Sequence, residues 1–172
     1  MPQSLIAHLY VDRHPARVGG LVLVDTSFPG MSLWPGDDDV RLDGDGDQAT
    51  VIDTVAGAAE ILDARPPRVP AVVVCRTPGR WYTPVPDPTA DGRWQQHQAN
   101  LAEQLGAPLI VATNSGHAIP REAPALIAYA VDAVVDAVRA GRPVAVDPAR
   151  VQAVGGRLQG RTGDAIAREE RP

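Results

Sequence analysis

Three short apolar runs punctuate the chain, each bounded by turn residues. They are residues 19–25 (GGLVLVD), 71–75 (AVVVC, introduced by Pro70) and 109–113 (LIVAT). Consecutive positions are apolar, which is the pattern of strands covered on both faces in a parallel sheet. Around them the period turns helical. Residues 3–14 place Leu5, Ile6, Leu9 and Tyr10 on one face and His8, Asp12 and Arg13 on the other, and His14 stops the helix because it precedes Pro15. Residues 48–63 carry a weaker pattern through Val51, Val55, Ala58, Ala59 and Leu62. Gly57 costs that helix about 1 kcal/mol, and Pro66 and Pro67 end it. Residues 91–106 align Trp94, Gln98, Leu101 and Leu105, with Gly106 as the stop. Residues 123–140 give the clearest helix, with Leu126, Ile127, Ala130, Val131, Val134, Val135 and Val138 as its expected buried stripe. Helices alternating with apolar strands predict an α/β layered fold, a short parallel sheet of about three strands flanked by helices.

The connecting stretches are polar. Residues 28–47 are rich in Gly, Pro and Asp and read as a solvated acidic loop. The run Asp43-x-Asp45-x-Asp47 suggests a calcium loop, but Gln48 stands where its glycine belongs and Thr54 where its closing Glu belongs. No metal site and no cofactor are expected. Residues 76–93 hold four prolines beside Trp81 and Tyr82, the length and composition of a lid. Residues 141–172 are poor in apolar positions and predict a flexible tail, with at most one short helix through Val151, Val154 and Leu158.

Length and charge narrow the classes further. The 172 residues suffice for one domain with a sizeable core. The net charge of −5 argues against nucleic acid or an anionic membrane surface as partner. All of the basic residues are Arg. Cys75 is the single cysteine, so no internal disulfide is possible, and its neighbours predict a buried thiol. No apolar run approaches the roughly 18–20 residues that cross a bilayer. No basic segment with a long apolar run opens the chain, so the cytoplasm is the expected location.

The chemistry concentrates after the third strand, in Thr113-Asn114-Ser115-Gly116-His117. A histidine in a loop at the carboxyl end of a parallel strand is placed to move protons near neutral pH. Most loop histidines have no such task, so the neighbouring words decide.

Those words, in this order, resemble the C-terminal half of an α/β-hydrolase. LIAHLYVDRHPARVGGLVLVD resembles the helix after the nucleophile elbow and the next core strand, and VPAVVVC the strand after the cap insertion. GRWQQHQANLAEQLGAPLIVATNSGHAI resembles the last helix, strand and histidine loop. The resemblance spans residues 1–140, with a cap or linker at 28–70 and a lid at 76–93. It implies a serine-type hydrolase of small ester-like substrates. In that family a Ser in Gly-x-Ser-x-Gly attacks, a His takes its proton and an acid orients the His. His117 takes the histidine role by resemblance. The acid is Asp25, favoured for its place at a strand end, or else Asp87 or Asp91. The nucleophile position falls on Met1, with Pro2, Gln3 and Ser4 after it, so the expected protein is an incomplete hydrolase. Ser4 comes three residues late, without flanking glycines, and reads as a helix cap. Trp34, Trp81, Tyr82 and Trp94 line an acyl pocket or pack in core and lid. The alternative is a catalytically inactive remnant that binds a partner. The strand at 21–25 would then expose a bare apolar edge and self-associate. A weaker third reading is a small binding module built on the acidic loop at 37–47.

Overall fold

A computed structural model describes residues 3–27, 39–42, 50–53, 60, 68–80 and 89–160. A four-stranded mixed sheet is flanked by helices. After α1 (Gln3–Arg13) and a 3-10 turn (Pro15–Arg17) come β1 (Leu21–Val24), β2 (Asp39–Leu42), β3 (Thr50–Asp53) and β4 (Ala71–Cys75). Then follow α2 (Ala90–Leu105), β5 (Leu109–Ala112), the single turn α3 (Ile119–Glu122), α4 (Pro124–Arg139), α5 (Pro148–Ala153) and β6 (Gly156–Gln159). The sheet order is β1-β4-β5-β6. β1 and β4 run parallel with Leu21 opposite Ala71, and β4 and β5 run parallel with Val73 opposite Leu109.

Side chains alternate across the sheet, and helices cover both faces. On one side Val72, Val74, Ile110 and Ala112 pack with Leu126, Ala130 and Val134 of α4 and Val151 of α5. On the other, Leu23, Val73, Cys75, Leu109 and Val111 pack with Leu101 and Ala102 of α2. All of β4 is therefore buried, each Val or Leu in such a strand contributing about 1.5–3 kcal/mol over its exposed state. Gly106, at φ 60, closes α2 in the left-handed turn expected of it.

The structure corrects the sequence reading at four places. The sheet has a fourth strand, antiparallel to β5, with Leu109 opposite Gln159. That strand lies in the stretch expected to be a flexible tail. Pro148 starts α5, and the Asp147 side chain caps it by accepting from the Ala149 amide at 2.9 Å. Val144, Val146, Val154 and Leu158 then join the α4-side core. Within the acidic loop and the helix expected at 48–63, β2 and β3 form an antiparallel pair with Val40 opposite Ile52. The β-branched run Thr50-Val51-Ile52 outweighs a helical pattern already broken by Gly57. On α1, Val11 is buried and Tyr10 exposed, its ring against His14. On α4, Leu126, Ala130, Val134 and Ala137 face the sheet, while Val131, Val135 and Val138 are exposed.

Candidate active site

The carboxyl ends of β1, β4 and β5 converge on one carboxylate. Asp25 follows β1 with φ 46, left-handed backbone uncommon outside Gly, Asn and Asp. Its amide donates to the Val74 carbonyl at 2.7 Å. This turn directs the side chain across the strand ends, where it is 1% exposed. Oδ1 accepts from the Arg76 amide at 3.1 Å and from Trp94 Nε1 at 2.8 Å. Oδ2 accepts from Arg76 Nη1 at 2.9 Å and lies 2.7 Å from His117 Nδ1. Burial alone would raise the pKa of this carboxyl. The His117 hydrogen bond, the Arg76 charge and amide, and the Trp94 indole together outweigh burial and hold it below its ordinary value. Asp25 is thus a carboxylate at neutral pH. Its neighbour His117 then donates through Nδ1–H, which makes Nε2 the basic nitrogen of the ring. The imidazole side chain is 32% exposed and its ring stands T-shaped to that of Trp94, with centroids 6.3 Å apart.

The loop carrying His117 is tied on two sides. Thr77, two residues after β4, donates its hydroxyl to the Ala112 carbonyl at 2.6 Å and accepts from the Ser115 amide at 2.9 Å. Glu122 of α3 accepts the Gly116 amide at 2.6 Å and the Ser115 hydroxyl at 3.2 Å. These bonds, the Gly116 amide foremost, lower the Glu122 pKa. Asn114 sits in the left-handed region at φ 64 and bonds to Arg80.

Asp25, the favoured acid, and His117 are therefore in direct contact. Asp91 stands on the far side of Arg76, 3.6 Å from Nη2, and accepts the Gly79 amide at 2.8 Å. Asp87 lies outside the described residues, as do Trp34, Trp81 and Tyr82. Ser4 belongs to the first turn of α1. Trp94 is buried and donates to Asp25, a task its place on the α2 stripe did not announce. In the sequence Arg76 is the first residue of the lid stretch, and its one signal is a charge placed directly after an all-apolar strand. Cys75 is the buried thiol expected. Burial, with the Asp25 charge, pushes its pKa up to about 12, so it stays neutral and unreactive.

Among the described residues no group of three or more His, Cys, Asp or Glu side chains is placed to hold a metal. No helix among them is long and apolar enough to cross a membrane. A groove of about 900 Å³, lined by Arg68, Pro70, Leu105 and Arg142 among others, opens at the opposite, amino end of β4. It is remote from the Asp25–His117 pair and holds no comparable cluster. No family model, curated protein or solved structure matches the chain.

Proposed function

We propose that this chain carries the acid–base half of an α/β-hydrolase-type site that cleaves small esters. The supporting observation is the 2.7 Å contact between Asp25 Oδ2 and His117 Nδ1, made at the carboxyl ends of parallel strands. In the proposed reaction His117 Nε2 takes the proton of a hydroxyl as its oxygen attacks the ester carbonyl carbon. The imidazolium then returns that proton to the departing alkoxide. Water, giving a proton to the same nitrogen, then attacks the acyl carbon, and the bond to the first hydroxyl oxygen breaks as that oxygen takes the proton back and the acid leaves. Asp25 orients the ring and stabilises its charged form. No Gly-x-Ser-x-Gly word occurs in the 172 residues, so the attacking hydroxyl is the part that the sequence leaves unassigned. The test is hydrolysis of a short activated ester by the chain, beside His117→Ala, Asp25→Asn and Ser4→Ala. Turnover is expected to fall about 10²–10⁴-fold in His117→Ala and to persist in Ser4→Ala. Hydrolysis that survives His117→Ala removes the reading.

A second reading, an inactive remnant that acts by association, is favoured by a different observation. Among the described residues β1 pairs on one side only. On α4, which packs against β1, Val131, Val135 and Val138 form an exposed apolar stripe. Absence of turnover together with a self-associating chain supports this second reading.

A further inference from the structure

No step of the proposed proton relay passes through Arg76, yet its guanidinium is fully enclosed, with the side chain 1% exposed. A buried cation is costly unless it is paired and hydrogen-bonded. Arg76 meets Asp25 twice, through its amide to Oδ1 and through Nη1 to Oδ2. Its guanidinium lies 4.4 Å from the centre of the Trp94 ring, and Trp94 itself donates to Oδ1. Nη2 reaches toward Asp91 on α2. Arg76 and His117 therefore share one carboxylate oxygen, Oδ2.

We propose that Arg76 is a positioning residue for His117, holding Asp25 ionised and in the one orientation that presents Oδ2 to the imidazole Nδ1–H. This deepens the relay reading and rests on it. A carboxyl enclosed without a cation tends to take up a proton. A protonated Asp25 would no longer favour the Nδ1–H tautomer, and Nε2 would lose its assignment as the base. Among the described residues, few groups face Asp25. Arg76 comes from the end of β4, His117 from the loop after β5 and Trp94 from α2. Asp91, also on α2, faces Arg76 rather than Asp25 and steadies the guanidinium. The Cys75 thiol on β4 stays neutral. The form of the cation matters because Nη1 donates to Oδ2 while the guanidinium carbon stands over the indole ring. A lysine would supply the charge without the guanidinium plane.

The experiment follows the His117 Nδ1–H resonance by NMR as pH is lowered, in the parent, Arg76→Lys and Arg76→Met. Its loss reports protonation of Asp25. Arg76→Met should lose the resonance at a pH higher than the parent by about one unit or more, with Arg76→Lys between them. Loss at the same pH in the parent and Arg76→Met overturns the proposal. Thermal unfolding of Arg76→Met, Asp25→Asn and the double variant covers the case of a poorly folded single variant. The double variant should melt above Arg76→Met, because it removes the stranded carboxylate. Strictly additive losses overturn the proposal. Neither measurement uses turnover, so a failed esterase assay and a failed role for Arg76 are separate results.

Discussion

A carboxylate removed from water needs donors on its lone pairs, and among the described residues Asp25 has four, on three side chains and one amide. Its folded pKa lies below the ordinary 3.8. The stability it contributes is therefore complete above pH 3.8 and is lost as pH falls toward the folded pKa. Asp25→Asn should destabilise the chain at neutral pH by about 3 kcal/mol, since Arg76 loses its principal partner. The difference from the parent should narrow below pH 3.8, where the parent loses its own advantage. Urea unfolding at pH 7 and pH 3 measures both, and a gap that does not change with pH contradicts the assignment. How far this was legible is specific to each residue. Asp25 ends an apolar strand and His117 follows another, which makes both candidates by position, and the resemblance of the surrounding words gives them their roles. Arg76 and Trp94 are 51 and 69 residues from Asp25 in the chain. Only the closing of two strands and a helix puts them on the same carboxylate.

The C-terminal elements show what one strand does for a sheet. β6 covers the outer edge of β5, leaving no bare hydrogen-bonding row there. Its first residue has no room for a side chain. A Cβ on Gly156 would stand 2.8 Å from Ile110 and Leu126 methyls and 2.9 Å from one on Val151. Gly156→Ala should therefore destabilise by about 1–3 kcal/mol, read from the shift in urea midpoint, whereas a loosely attached tail would show no shift. The loop between β5 and α3 has its own test. Removing the acceptor in Glu122→Ala should speed exchange of the Gly116 amide with solvent and leave amides in β4 unchanged, measured by hydrogen exchange. In sequence β6 was nearly silent, because in Gly-Arg-Leu-Gln only Leu158 is apolar. α5 carried a sign in Asp147-Pro148, a cap followed by a proline at the first helical position.

On the scale of the molecule, the α4 valines and the pairing of β1 on one side only, among the described residues, point the same way. Self-association should appear in sedimentation velocity as a species heavier than the monomer, and Val135→Asp should reduce it. A monomer at all concentrations contradicts the self-association proposal. The α4 helix is apolar around more than half its circumference, so periodicity established the helix but not which arc meets the sheet. The physical division is general for this chain. Runs such as 71–75 and 109–113 are apolar at every step, and local composition suffices to make them buried strands and to order them with the helices. Register, the pairing of β6, the arc of α4 that is covered and the four donors around Asp25 depend on which segments come within a few ångströms of one another. That is decided only when the tertiary structure closes, because no local preference encodes a distance between residues so far apart in the chain.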